Sequence, residues 1–157
     1  MDHKRLAELI DRHAAALALY ASQWTTAADD VVQEAFLRLI DSRPEPELPG
    51  PWLYSVVRHL ALDDRRAETR RRRRESLAAR LITDETGEST AIEIGEALER
   101  LDPQTREVVV AHLWGGLTFA EIADLVGTSS SAVHRRYQTG LETLRKTLDQ
   151  PCSNRTT

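Results

Sequence analysis

A single cysteine, few aromatic residues and no uninterrupted apolar stretch near the roughly 18 residues needed to cross a bilayer set the first limits on this 157-residue chain. Cys152 sits alone in the polar tail PCSNRTT, so no internal disulfide framework is available. With so few aromatics, large hydrophobic interfaces are not expected. The opening stretch MDHKRLAELIDRHAAALALY reads as an amphipathic helix interrupted by charges, not as a membrane leader. The expectation is a cytoplasmic protein with no membrane insertion. No Walker-type glycine loop is present, and the five histidines are scattered without metal-ligand spacing. No nucleophile lies beside an evident base in sequence. No catalytic residue, metal site or cofactor is therefore expected, and the chain is not read as an enzyme. Alternating strand patterns and internal repeats are missing as well, which leaves an all-α fold.

What is present is helical periodicity and an uneven distribution of charge. A hydrophobic content of 41% suffices for one domain or two small ones with modest cores. The net charge of −4 hides its layout. From Arg58 to Arg80 nine arginines stand against Asp63, Asp64, Glu68 and Glu75, a local surplus of five positive charges. From Thr83 to Glu107 eight acids outnumber Arg100 and Arg106. A polyanion would meet a basic segment, then a repelling connector. Thr83, Gly87 and Ser89 punctuate that connector. We divide the chain into domains at 1–78 and 91–150, a flexible linker at 79–90 and a tail at 151–157.

The most informative stretch is Thr118 to Lys146, TFAEIADLVGTSSSAVHRRYQTGLETLRK. Thr118 with Glu121 three residues on forms a capping box, and Phe119, Ile122, Ala123 and Val126 supply a buried stripe. Gly127 ends that helix by tolerating a left-handed turn. Ser129 or Ser130 can cap a second helix on which Val133, Tyr137, Gly140 and Leu144 share one sector. The opposite sector collects Ser131, Arg135, Gln138 and Glu142, with His134 and Thr139 at its flanks. A bare helical hairpin with a solvated outer face fits the periodicity too. The small Ala123 at the crossing, the Gly turn and the capped second helix favour a helix-turn-helix whose second helix enters a major groove. There Arg reads guanine, Gln reads adenine, and Ser takes a base edge or a phosphate.

Upstream, a helix is expected over about Asp2–Trp24, with Leu6, Leu9, Ile10, His13, Leu17 and Tyr20 inward. A second spans Asp29–Ile40, with Val32, Ala35, Phe36 and Leu39 buried. Its outward face carries Asp30, Glu34 and Leu37, with Gln33 on the flank. That face is either solvated or docks on a basic partner helix. Arg43–Pro51 is a proline-rich loop, only its last proline being expected to open the next helix. That helix, Trp52 to about Arg66, buries Leu53, Val56, Val57 and Leu60. Ser55, Arg58, His59, Leu62, Arg65 and Arg66 lie on its other side, a surface that is either solvated or suited to single-stranded nucleic acid. Arg70–Arg74 reads as a helix end or linker. Ala91–Leu101 turns Ile94, Leu98 and Leu101 to one side. Asp102-Pro103 then caps and starts a helix that carries Val108, Val109, His112 and Leu113 to Gly115-Gly116.

Two separated groups of residues carry a resemblance. Asp30-Val31-Val32-Gln33-Glu34-Ala35-Phe36-Leu37-Arg38-Leu39, Pro51-Trp52-Leu53-Tyr54 and Ala61-Leu62-Asp63 resemble region 2 of bacterial RNA polymerase sigma factors of the extracytoplasmic-function (ECF) type. Leu101-Asp102-Pro103, Arg106-Glu107-Val108, Gly116-Leu117-Thr118, Glu121-Ile122-Ala123 and Gly127 through Arg136 resemble region 4. The resemblance implies a transcription initiation factor, a monomer when free, with core RNA polymerase and promoter DNA as partners and an anti-sigma factor as a further one. It implies that Asp30, Gln33, Glu34 and Leu37 contact the polymerase. It assigns Ser55, Arg58, His59, Leu62, Arg65 and Arg66 to the melted minus-10 element, and Ser131, His134, Arg135, Gln138 and Thr139 to the minus-35 duplex. The chain departs from the family pattern at His59, where Asn is common, at His134, where Lys or Arg is usual, and in its short acidic loop RPEPELPG. Two rivals stand beside this reading: a free-standing helix-turn-helix regulator, and an adaptor that binds polymerase without melting DNA.

Overall fold

The computed structural model describes residues 2–75 and 89–149. Among them lie seven helices and no strand: α1 (His3–Ala21), α2 (Ala28–Asp41), α3 (Pro49–Glu75), α4 (Ser89–Glu99), α5 (Pro103–Leu113), α6 (Phe119–Val126) and α7 (Ser130–Leu148). The all-helical reading holds. Most of the span 79–90 and all of 151–157 lie outside the described residues, Ser89 and Thr90 being the first residues of α4. None of the helices is long and apolar enough to cross a membrane, among the described residues.

Asp2 starts α1 by accepting the Arg5 amide at 2.8 Å. The helix stops at Ala21, short of the expected Trp24, because the Trp24 amide closes a tighter turn onto the Ala21 carbonyl at 3.0 Å. Trp24 then sets its ring edge against Tyr20. Burial in α1 is confined to its last turns, Leu17, Tyr20 and Ala21. Ile10, expected inward, is exposed because no neighbour covers the early turns as fully. The following turn is held by Thr25, whose hydroxyl accepts the Ala27 amide and donates to the Asp64 carboxylate on α3. Helix α2 buries Val31, Val32, Ala35, Phe36 and Leu39.

Helix α3 is longer than expected at both ends. Pro49 and Pro51 both fit its first turn, where backbone amides have no helical partner to lose. At the far end the arginine run continues the helix through Glu75 instead of ending it. Glu68 pairs with Arg71 and, at 2.7 Å, with Arg72, offsetting repulsion along the helix surface.

Helix α5 is the centre of the molecule. Asp102 caps it by accepting the Gln104 and Thr105 amides at 3.2 and 3.1 Å. It packs on α7, α6 and α1, so Thr105, Glu107, Val108, Val109, Val110 and Ala111 are all buried. Burial thus runs around this helix, while Leu113 at its end is exposed. Ile94 on α4 is likewise exposed, while Leu98 and Leu101 are buried. Gly140 permits the α5–α7 crossing: a Cβ there would lie 2.5 Å from Val109 Cγ2 and 2.9 Å from Thr105 Cγ2. The buried residues form one contiguous cluster that runs from Leu17 on α1 to Val133 on α7.

Candidate partner and nucleic-acid interfaces

The α6–α7 pair is built as its sequence indicates. Glu121 Oε2 accepts the Thr118 amide at 2.8 Å and the Glu121 amide reaches Thr118 Oγ1 at 3.2 Å, which completes the capping box. Gly127 closes α6 at φ 72°. Ser129 caps α7 through the Ala132 amide at 3.2 Å. Val133 and Gly140 are buried and Tyr137 and Leu144 half-buried on the inner side. His112, Phe119 and Tyr137 pack ring against ring and join α5, α6 and α7. The His112 Nδ1–H donates to the Leu117 carbonyl at 2.7 Å. On the outer side Ser131, His134, Arg135, Gln138 and Thr139 are all exposed, His134 lying edge-on to Phe119.

The outer face of α2 is open as well. Asp30, Gln33 and Leu37 are exposed and Glu34 is half-buried, accepting from Arg38 Nε at 2.8 Å. Exposed Ile40 sits one turn beyond Leu37 and extends its apolar surface. Beside this face, a groove of about 760 Å³ between α2 and α3 brings Asp30 and Glu34 together with Asp63 and Asp64, with Arg66 and Arg70 on the same lining. Sequence periodicity assigned Asp63 and Asp64 only to a basic segment. Their place on the α2 side follows from the α2–α3 crossing, and the only local signal was a hydroxyl, Thr25, placed to anchor a turn.

The α3 face is less open. His59, Arg65 and Arg66 are exposed, while Ser55 and Leu62 are half-buried. A carbonyl can only accept, so His59 donates its Nδ1–H to Ser55 O at 2.7 Å. In the neutral ring Nε2 is then left as an acceptor. Arg66 pairs with Asp63 at 3.1 Å. Arg58, expected outward with the others, is instead drawn inward: its Nε donates to Glu107 Oε1 at 2.7 Å, with 26% of the side chain accessible. The same Glu107 oxygen accepts the Tyr20 hydroxyl at 2.7 Å. Burial works to lower the Arg58 pKa, but the hydrogen bond and charge of Glu107 outweigh it and raise it. Burial first, then Glu107, pushes the Tyr20 phenol far up, so it stays a donor. A pair this enclosed owes its role to geometry more than to net stabilisation, because desolvation offsets much of the attraction.

Glu107 was missed as a site residue. By charge alone Glu107 reads as the end of an acidic connector, yet it directly precedes the apolar run Val108–Ala111, where an acid on a buried helix needs a partner. A cavity of about 580 Å³ is walled by Ser55, Arg58 and His59 from α3 and by Glu121, Asp124 and Leu125 from α6.

Residues 6–71 match the family model for Sigma-70 region 2, and residues 91–144 match that for Sigma-70, region 4. The chain is 32% identical to the ECF RNA polymerase sigma factor SigL of Mycobacterium tuberculosis, over 90% of this chain and 88% of that one. To the RNA polymerase sigma factor CarQ of Myxococcus xanthus it is 30% identical, over 91% and 88%. Among solved structures it is similar to the sigma factor RpoE of Bartonella quintana in complex with the anti-sigma factor NepR, with TM-score 0.69, 17% identity and 92% and 96% of the two chains covered. It is also similar to CnrH in complex with the cytosolic domain of CnrY, with TM-score 0.60, 26% identity and 94% and 90% covered. The chain belongs to the ECF RNA polymerase sigma factors, transcription initiation factors that bind RNA polymerase and direct it to promoters.

Proposed function

We propose that this sigma factor works through two modules, residues 1–78 and 91–150, joined by the linker 79–90. In this reading Asp30, Gln33, Glu34 and Leu37 on α2 hold the core polymerase. Ser55, Arg58, His59, Leu62, Arg65 and Arg66 on α3 take the melted minus-10 strand. Ser131, His134, Arg135, Gln138 and Thr139 on α7 read the minus-35 duplex. The observation that carries it is the coexistence in one chain of an open, donor-rich recognition helix and an open α2 face that presents Asp30, Gln33 and Leu37. Neither feature alone asks for a polymerase; a free-standing regulator needs only the first. An anti-sigma factor is a natural further partner, since the sigma factor RpoE was solved with the anti-sigma factor NepR bound. The site of action is the cytoplasm, where polymerase meets DNA, and the chain itself contributes binding and positioning, with no reaction of its own.

The direct experiment mixes the protein with core polymerase and genomic promoter fragments and reads specific transcripts. Glu34→Lys reverses the charge on a half-buried surface position whose present pair with Arg38 is worth little. It is expected to weaken retention on core polymerase at least several-fold while leaving helicity and duplex binding intact. Unchanged co-elution with the core would remove Glu34 from the interface, and failure of the native protein to be retained at all would overturn the assignment of α2.

A further inference from the structure

Three of the six α3 residues assigned above to the melted strand are arginines. A guanidinium has five N–H donors and no acceptor. Arg65 and Arg66 are both exposed. Arg66 pairs with Asp63 at 3.1 Å, but both side chains are largely accessible, so the pair is weak and readily exchanged for another anion. Donors of this kind suit the phosphates of a strand, contacts that fix position and carry no sequence information. Arg58 adds little to them while its Nε is held by Glu107.

His59 differs from these arginines in kind. Its ring is exposed one turn beyond Ser55, and its Nδ1–H is spent on the Ser55 carbonyl at 2.7 Å. That bond fixes the tautomer of the neutral imidazole, so the remaining nitrogen, Nε2, holds a lone pair and no proton. A lone pair repels a phosphate oxygen and attracts a base N–H. Set beside arginines that take the backbone, Nε2 is suited to a base edge. Of the carboxylates lining the same cavity, Glu121 is engaged by Thr118, whereas Asp124 is exposed and is a rival acceptor that a test must separate from His59.

We propose that His59 is a base-reading residue which selects an amino base, adenine or cytosine, over a keto base, guanine or thymine, at one position of the single strand. The inference rests on the assignment of this α3 face to the melted strand, and it names the class of base the face takes. Adenine N6 and cytosine N4 project an NH2 donor from the place where guanine O6 and thymine O4 project an acceptor. Against Nε2 the amino group closes a hydrogen bond. The keto group sets two lone pairs against each other and leaves both without a partner. A side-chain amide could turn to present either its oxygen or its NH2. His59 has no such choice, because turning the ring breaks its bond to Ser55.

The test uses the whole chain and short fluorescein-labelled homopolymers, since a homopolymer puts the same base wherever His59 meets the strand. Oligo-dC and oligo-dU differ in the amino or keto group of one ring, and oligo-dA and oligo-dI form the matching purine pair. At about pH 8, which favours a neutral imidazole, the native protein is expected to bind the amino member of each pair about tenfold more tightly, the effect of one well-placed base contact. His59→Leu should bring both ratios close to unity. His59→Lys, which supplies donors and no acceptor, should turn them toward the keto members, with far-UV helicity as the check on folding. Equal binding within each pair by the native protein would overturn the inference, as would a preference that survives in His59→Leu and disappears in Asp124→Asn. Long-range proton–nitrogen NMR spectra read the tautomer without DNA, and a proton on Nε2 of neutral His59 would equally sink the idea. The strand assignment is read separately: it fails if the double variant Arg65→Gln, Arg66→Gln binds all four strands as the native protein does. Uniform weakening on all four in that variant keeps the assignment, whatever the His59 variants show.

Discussion

The outer faces of α3 and α7 look alike in sequence, each a polar, basic sector opposite an apolar stripe, but they end differently in the folded chain. All five α7 positions of interest are exposed. On α3 Arg58 is tied to Glu107, Ser55 and Leu62 are half-buried, and only His59, Arg65 and Arg66 remain open. Periodicity identifies which residues leave the core of their own helical group. Whether a second group then covers them is a matter of long-range packing. In the reading proposed above, duplex is met by a fully open face and the melted strand by one that is partly covered.

The strongest way to break the comparison is to remove the support of one face alone. Ile122 is wholly buried beneath α7, and Ile122→Ala is expected to cost about 2–5 kcal/mol through lost burial and the cavity left behind. Thermal unfolding should fall sharply and duplex binding should be lost. If the α3 face were lost to the same degree, the two faces would not be independent. A smaller effect sharpens it. Arg135→Ala should reduce discrimination between promoter sequences by about 1–3 kcal/mol if the side chain reads a base, with no change in helix packing, because Arg135 is exposed. Equal weakening on every sequence, measured by competition binding, would make Arg135 a phosphate anchor.

The smallest effect concerns α5, on which both faces depend. The Thr105 hydroxyl first, then the Thr105 and Gln104 amides, hold the Asp102 carboxyl below the ordinary aspartate range against a lesser opposing effect of burial. A depressed folded-state pKa contributes stability that is present above the unfolded value, near 4, and is lost as pH falls through the lower folded value. Unfolding midpoints should thus drop slightly below pH 4, and Asp102→Asn should abolish that portion of the acid dependence while keeping most of the cap. A native acid profile in Asp102→Asn would assign it to other carboxylates.

Local signals survived folding well where a few neighbouring residues carry them. Thr118 with Glu121, Gly127, Ser129 and Asp102-Pro103 set helix ends through bonds that span three or four residues, so no distant contact was needed to read them. Stripes such as Val32, Ala35, Phe36 and Leu39 were legible for the same reason. Ends governed by competition were harder. The arginine run after Arg66 repels itself, yet Glu68 holds it helical, and Pro49 and Pro51 both proved compatible with a first turn. Burial departs from the helical stripe at Ile10 in α1 because it depends on which helices lie alongside.

From the order of its residues alone, the chain determined that it is helical, where its recognition pair begins and turns, and which residues of α2 and α7 point away from their own cores. Spacing and capping are enough for that, since each acts over one or two turns. Only tertiary packing decided that Asp63 and Asp64 join the α2 groove, that Tyr54 is entombed and that Glu107 binds Tyr20 and Arg58. The two Glu107 contacts join residues 49 and 87 positions apart, and no periodicity in the sequence encodes the distance between helices that fold back on one another.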